Sequence, residues 1–177
     1  MNDEDFGLRP RATQPYLPNA LCTLIPVAAL EGTLALLRRA GRHESAVYWY
    51  GTKNDNGTAT VSYVVAPEQI SRPKNYHVPA SSMSEMVRRL KPGWKPIAQV
   101  HSHPGDSVEH SHYDDRMAIS TKALSLVVPR YGHWSGSFPE HIGVHEWQRN
   151  YWHLLPLDNA RARIRLITGE VTVQDLR

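Results

Sequence analysis

The segment Pro96-Ile-Ala-Gln-Val-His-Ser-His103 decides the fold and its chemistry, because it has the composition of a buried strand and ends in two histidines. Side chains alternate across an extended strand, so His101 and His103 point to the same face and can reach one cation. Asp114 follows after a short loop and offers a third, anionic ligand. Three nitrogen and oxygen ligands leave a tetrahedral zinc ion one open position for water, as in catalytic sites. The segment therefore predicts a zinc hydrolase.

The His-Ser-His tripeptide occurs a second time, as His110-Ser111-His112, so the choice of ligands must be tested. Asp114 lies at a suitable distance along the chain from His103. At the same spacing from His112 the sequence has Ala123, which cannot bind a metal. We therefore expect His101 and His103 to be the ligands. The second tripeptide is expected in a loop or at a helix start near the metal, and its histidines are the alternative ligands.

Ser111 and Asp114 also fit a second pattern, because a serine followed three residues later by an acidic residue is typical of a helix capping box. The two interpretations are compatible: a helix that begins at Ser111 would fix Asp114 while its carboxylate faces the metal. Asp115 is the alternative third ligand. Asp106 and Glu109 are expected to be loop charges.

This pattern resembles the JAMM (MPN/JAB) zinc metalloprotease family, whose motif is a glutamate, then His-Ser/Thr-His-Pro, a serine and an aspartate. The sequence matches the histidine-containing part at every position: His101, Ser102, His103, Pro104, Ser111 and Asp114. The family glutamate opens a hydrophobic strand that ends in glycine, as the segment from Glu44 to Gly51 does. The resemblance covers residues 21–156 and implies an α/β fold: a single domain with a curved mixed β-sheet flanked by helices.

The resemblance also implies roles for two residues outside the ligand set. Zinc lowers the pKa of its bound water to about 7. Glu44 would take the proton from that water as general base and pass it to the leaving amine. Ser111 would help to bind the tetrahedral oxyanion. Without the resemblance, Glu44 fits equally well as a solvated residue in the turn after Gly41.

A compact chain of this type resembles the bacterial single-domain JAB proteins associated with ubiquitin-like conjugation. The implied activity is that of a zinc isopeptidase or peptidase with one Zn²⁺ per chain, which hydrolyses the bond after the C-terminus of a ubiquitin-like protein, in deconjugation or precursor processing. E1- and E2-like enzymes are the implied partners of the pathway. Tyr76 in the loop 67–79 and Trp134 in the loop 131–139 are expected to bind substrate.

Two other functions share parts of this pattern. A hydrolase that removes a small adduct from the tail of a sulfur-carrier protein would use the same site on another substrate. A metal-free MPN scaffold would only bind partners, but scaffold members usually lack one or more ligands, and this sequence has the complete set.

Composition is that of one globular domain with a sizeable core: 177 residues, 41% hydrophobic and 21% charged. The formal charge of +3 comes from basic residues spread along the chain, so no nucleic-acid partner is expected. A mildly basic surface favours an acidic protein partner through electrostatic steering.

The single cysteine, Cys22, excludes an internal disulfide framework and fits a reducing compartment. It lies in a short apolar segment without a group that would stabilise a thiolate, so an inert thiol is favoured over a nucleophile. No segment has the length of a membrane span, and the first residues lack an apolar signal core. These features predict a cytoplasmic protein with no membrane partner.

Residues 1–19 are polar and contain three prolines, which predicts an arm that either packs over the domain or reaches toward a partner. Residues 20–177 form the predicted catalytic domain. Its periodicity and turn signals predict strands at 21–26, 45–50, 59–65, 96–103, 123–128, 142–147 and 151–155, and helices at 27–40, 82–90 and from Ser111. Residues from Leu157 onward are expected to add a helix or a strand.

Overall fold

The computed structural model describes residues 9–177, which form one curved, mixed β-sheet of nine strands, a separate two-stranded hairpin and four α-helices. The strands are β1 (Cys22–Pro26), β2 (Ala46–Lys53), β3 (Thr58–Ala66), β4 (Ile70–Arg72), β5 (Asn75–His77), β6 (Lys95–Ser102), β7 (Leu124–Val128), β8 (Gly143–Gln148), β9 (Tyr151–Leu154), β10 (Ile164–Ile167) and β11 (Thr172–Asp175). The helices are α1 (Val27–Arg39), α2 (Ala80–Arg88), α3 (His112–Met117) and α4 (Leu157–Arg163).

The large sheet has the strand order β10-β1-β3-β2-β6-β7-β8-β9, and β11 also pairs with β3. Neighbours β2 and β6 are antiparallel, whereas β6 and β7 are parallel. Central strands buried on both faces need continuous hydrophobic runs, which β2, β6 and β7 supply. The predicted α/β fold class is confirmed.

Helices pack on both faces of the sheet, as predicted. On one face α1 covers a core that includes Val47, Trp49 and Val100. The opposite face has a second core formed mainly by aromatic residues of the sheet and by Met86 of α2. His101 lies on this second face, because it pairs with Ala46, a member of that core. His101 therefore lies on the face of the sheet whose core is mainly aromatic.

Two parts of the fold differ from the sequence-based expectation. The predicted loop 67–79 contains the hairpin β4–β5, whose strands have three residues each and are too short to show alternation. Residues from Leu157 onward form a helix and then two strands, β10 and β11, which pair in parallel with β1 and β3. Parallel pairing with distant strands leaves no local signal in the sequence.

The described part of the arm, residues 9–19, lies along the hairpin β8–β9. Leu17 and Gln148 exchange two hydrogen bonds of 2.9 and 3.0 Å through the backbone of Leu17. Tyr16 and Asn19 donate to the carboxylate of Glu146 at 2.8 and 3.1 Å. The boundary between arm and domain at residue 19 stays a prediction, and residues 1–8 lie outside the described residues. None of the helices in residues 9–177 is long and apolar enough to cross a membrane.

Candidate metal centre

The structure brings the three predicted ligands together at the carboxyl end of β6. Nε2 of His101 lies 3.2 Å from Nε2 of His103. Each of these nitrogens lies 3.3 Å from an oxygen of Asp114, His101 from Oδ1 and His103 from Oδ2. Within residues 9–177, these three side chains form the group of potential ligands that is compact enough to hold a metal ion.

These distances fit a tetrahedral cation. Ligand atoms that bind zinc at about 2.0–2.1 Å in tetrahedral geometry lie about 3.3 Å from one another. His101 also has a buried Nδ1 without a hydrogen-bond partner in the described part of the chain. Because Nε2 is the nitrogen that faces the centre, a cation there would leave Nδ1 without a partner, and this atom is not evidence for a metal. The distances and the ligand types show that His101, His103 and Asp114 fit a bound Zn²⁺.

The orientation of His103 is fixed by a backbone contact. Its Nδ1 lies 3.0 Å from the carbonyl oxygen of Ser107, which can only accept a hydrogen bond. Nδ1 therefore carries the proton, and the lone pair of Nε2 is free to face the centre. Such a contact on the distal nitrogen is the usual way in which metal-binding histidines are oriented.

Asp114 is fixed by the capping box at the start of α3. Ser111 donates to Oδ2 of Asp114 from its backbone N at 2.7 Å and from its hydroxyl at 2.8 Å. The backbone N of Asp114 donates in return to the Ser111 hydroxyl at 3.2 Å. Oδ1 is left facing His101. Ser111 and Asp114 therefore form the helix cap while Asp114 still faces the histidines as a potential metal ligand.

The pKa values of the three side chains favour a bound cation. Burial alone would raise the pKa of Asp114, but the imidazoles of His101 and His103 hold it well below its usual range. Burial lowers the pKa of His101 and leaves its ring neutral. Burial would also lower the pKa of His103, but the Asp114 carboxylate raises it above its usual value. The cluster thus offers an ionised carboxylate beside a neutral imidazole.

Glu44 lies opposite the second ligand because of the register between β2 and β6. Ala46 pairs with His101, and the backbone N of Ser102 donates to the carbonyl of Ser45 at 3.1 Å. Continuing this antiparallel register places Glu44 opposite His103. The Glu44 side chain is buried, with 5% of the residue exposed. Burial raises its pKa to about 8, against the lowering effect of His103.

The middle serines of the two tripeptides are placed differently. Ser102 is fully buried, and its hydroxyl accepts a hydrogen bond from the backbone N of Ser45 at 3.3 Å. Ser111 lies beside the centre, but its single hydroxyl proton goes to Asp114. Donation to an oxyanion requires this hydroxyl to rotate, while the Ser111 backbone N continues to hold Asp114.

The second tripeptide does not form a metal centre. His110 is buried, and both of its ring nitrogens have partners: Nδ1 donates to Asp115 at 2.9 Å, and Nε2 accepts from the hydroxyl of Ser125 at 2.8 Å. Asp115, the alternative ligand, is also bound by Arg9 from the arm. No local sequence pattern predicts this contact between Arg9 and Asp115.

The two residues expected to bind substrate have different locations. Tyr76 is 1% exposed, its ring centroid lies 5.6 Å from that of His101, and its carbonyl accepts from Tyr113 at 2.6 Å. It supports the centre from inside the core and offers no surface to a substrate, which differs from the expectation. Trp134 is half-buried and borders a cavity of about 320 Å³ together with Asp106 and Arg130.

Three comparisons relate the chain to known proteins. A family model described as prokaryotic homologs of the JAB domain matches residues 26–147. A protein of Sinorhizobium fredii (strain NBRC 101917 / NGR234), named "Probable metalloprotease y4jG", is 32% identical over 115 residues, which cover 60% of this chain and 70% of that protein. The solution structure of protein DSY2949 from Desulfitobacterium hafniense superposes with a TM-score of 0.61 at 17% identity, over 84% of this chain and 94% of the other.

The structural similarity, at this low identity, concerns the fold alone. The family match extends over more than half of the chain and includes the three potential ligands, Glu44 and Ser111. It therefore confirms the resemblance that the motif indicated, and the chain belongs to the prokaryotic JAB-domain family.

Proposed function

We propose that the protein is a zinc-dependent isopeptidase or peptidase that hydrolyses the bond after the C-terminus of a ubiquitin-like protein. The observation that carries the proposal is the convergence of the two imidazoles and the Asp114 carboxylate beside the buried side chain of Glu44: the two Nε2 atoms lie 3.2 Å apart, and each lies 3.3 Å from one of the two carboxylate oxygens. Membership of the JAB family and the similarity to a protein named as a metalloprotease support a metal-dependent hydrolase.

Each residue of the centre has a chemical task in this proposal. His101, His103 and Asp114 would hold the zinc ion, which supplies a Lewis acid for the scissile carbonyl and a water with a pKa of about 7. Glu44 would accept the proton of that water as general base and deliver it to the leaving amine. The rotated hydroxyl of Ser111 donates to the oxyanion.

Two segments border the centre and support an extended substrate tail. The hairpin β4–β5 is attached through the backbone N of Glu44, which donates to Arg72 at 2.7 Å. The 3-10 turn Arg130–Gly132 is attached through the backbone N of Tyr131, which donates to His103 at 2.8 Å. The Tyr131 hydroxyl donates to the carbonyl of Pro73 at 3.1 Å and joins the two segments.

These borders carry groups suited to a protein substrate. Ile70 at the start of the hairpin is 49% exposed and offers an apolar contact to a folded body. Trp134 and the cavity that it borders offer a second contact on the side of the turn. Backbone pairing of an extended tail gives affinity without strong demands on its side chains. We infer that most of the binding free energy comes from the folded partner and less from the tail.

The decisive experiment compares two substrates that share one tail. The purified protein, loaded with zinc, is incubated with a ubiquitin-like protein fused to a second protein, and separately with a peptide that carries only the same tail. We expect cleavage of the fusion after the last residue of the ubiquitin-like protein, little cleavage of the peptide, and no cleavage by His103→Ala.

Other outcomes point to the alternative functions. Equal rates on the fusion and on the peptide would contradict recognition of the folded body and favour a general peptidase or the removal of a small adduct from a carrier tail. Binding of the fusion without cleavage, by protein that contains zinc, would favour a scaffold.

A further inference from the structure

Arg9 reaches from the arm into a buried position between α3 and β9. Its Nη1 donates to both oxygens of Asp115 at 3.1 and 3.0 Å, and its Nη2 donates to the carbonyl of Trp152 at 3.0 Å. The guanidinium carbon lies 4.5 Å from the ring centroid of Tyr151, and the side chain is 7% exposed. A guanidinium with partners on this many sides is held in one position, unlike an exposed surface ion pair.

Asp115 connects Arg9 to the start of α3. Its Oδ1 also accepts a hydrogen bond from Nδ1 of His110, the residue just before the capping serine. The other nitrogen of His110 is bound to Ser125 on β7, and its ring stacks on His145 of β8 at a centroid distance of 3.8 Å. Arg9, Asp115 and His110 therefore connect the beginning of α3 to three strands of the sheet.

The metal-bearing helix needs such external support because it has only six residues. Helices shorter than about 12 residues are marginal in water and depend on tertiary contacts. The capping box fixes Asp114 relative to Ser111, but it does not fix the pair relative to His101 and His103 on β6. One external contact is the hydrogen bond of Tyr113 to Tyr76, and another is the ion pair of Asp115 with Arg9.

We propose that Arg9 is a positioning residue for the metal centre: through Asp115 it holds α3 where Asp114 can complete the ligand set. Arg9 lies outside residues 26–147, which the family model matches, and so do its partners Tyr151 and Trp152. The arm thus adds a support to a domain common to the family. This inference rests on the proposed zinc site, and its test separates the two.

The test is the zinc affinity of Arg9→Ala in the full chain, measured by competition with a chromogenic chelator. Loss of a direct partner of a metal ligand typically weakens metal binding by about 10- to 100-fold, and we expect about tenfold, the lower end, because Arg9 acts through Asp115 and does not contact a ligand. The matched control is Arg11→Ala, which removes the same charge from an exposed residue of the same arm and should leave the affinity unchanged. Arg9→Lys should be intermediate, because an ammonium cannot bind Asp115 and the Trp152 carbonyl in one planar fork.

A double-mutant cycle with Asp115→Asn tests the route of the effect. If Arg9 acts through Asp115, then Arg9→Ala should change the zinc affinity much less in the Asp115→Asn background than in the wild type. Additive losses would contradict the route. The thermal unfolding midpoint of each variant without metal is measured in parallel, to separate positioning from general stability.

Three results decide the proposal. A tenfold weaker zinc affinity in Arg9→Ala, absent in Arg11→Ala, supports it. Wild-type zinc affinity in Arg9→Ala and Asp115→Asn, with a lower unfolding midpoint, would overturn it and leave Arg9 a structural residue. Absence of zinc binding by the wild-type protein would overturn the metal site itself, together with any role of Arg9 toward it.

Discussion

The two His-Ser-His tripeptides have the same sequence and different backbones, and only one of them can bind a cation. In the first, His101 and His103 flank the end of an extended strand, and their Nε2 atoms converge to 3.2 Å. In the second, the serine caps a helix, and both ring nitrogens of His110 are taken by Asp115 and Ser125. Convergent side chains and free lone pairs, more than the identity of the residues, distinguish a metal ligand from a structural histidine.

The largest expected difference between the tripeptides is in zinc binding. His103→Ala should weaken zinc affinity by more than about 100-fold, because even outer partners of ligands contribute about 10- to 100-fold. His112→Ala, the matching position of the second tripeptide, should keep near-stoichiometric zinc. Elemental analysis and chelator competition on both variants measure this. Zinc retained by His103→Ala and lost by His112→Ala would reverse the assignment.

Glu44→Gln should separate chemistry from metal binding at the first tripeptide. The amide has nearly the shape of the acid but cannot accept the proton, so zinc content should be unchanged while turnover falls by about 10²- to 10⁴-fold. The measurement is the single-turnover rate on the fusion substrate at equal zinc occupancy. Glu109→Gln, an exposed carboxylate in the loop between the tripeptides, is the control. A wild-type rate in Glu44→Gln would contradict the assignment of Glu44 as the general base.

The two middle serines should respond differently to the same substitution. Ser111→Ala should lower kcat by about 10²- to 10³-fold as an oxyanion donor is lost, and lower stability by about 1 kcal/mol as the cap is lost. Ser102→Ala should lower stability by about 1 kcal/mol and leave kcat unchanged, because its hydroxyl binds the backbone of Ser45. Rate measurements together with chemical denaturation test both. Equal effects on kcat would remove Ser111 from the chemistry.

A further expected effect is on the pH dependence of stability without metal. The pKa of Glu44 is raised from 4.5 to about 8, so between these values the folded state holds a proton that the unfolded state has lost. Its contribution to stability is therefore present below about pH 4.5 and is lost as the pH rises to 8, by at most about 1.4 kcal/mol per pH unit. His110 has the opposite sign, because burial lowers its pKa and stability is lost only as the pH falls.

Denaturation of the metal-free protein at several pH values measures this dependence. The difference between wild type and Glu44→Gln isolates the contribution of Glu44, since the pKa of His103 is also raised in the folded state. A parallel pH dependence of the two proteins would contradict a raised pKa at Glu44.

Sequence patterns predicted those parts of the site that depend on local geometry. Alternation along β6 places His101 and His103 on one face, and the Ser111–Asp114 spacing predicts a capping box, which the structure contains. The role of Glu44 could be predicted only with the family resemblance, because its position next to the ligands depends on the register between β2 and β6. Tyr76 was expected to bind substrate as part of the loop 67–79, but the hairpin β4–β5 turns its side chain into the core.

The contact between Arg9 and Asp115 spans more than 100 residues, and a single basic residue in a polar arm gives no indication of a distant partner. The pairing of β10 with β1 and of β11 with β3 is non-local in the same way. In each case the structure depends on tertiary geometry that periodicity, capping and turn signals do not contain.

The parallel pairing of β10 and β11 has a consequence for biosynthesis. Thr23 pairs with Ile164, and Val64 pairs with Val173, so these contacts close very long loops. Such contacts are expected to form late in folding, because closing a long loop costs conformational entropy before the new contacts contribute any stabilising free energy. During translation the central strands β2, β6 and β7 can pair with one another while β1 and β3 still lack their partners β10 and β11. Unpaired edges are templates for aggregation. The edges of β1 and β3 are therefore expected to stay unpaired until residues 164–175 are available to pair with them.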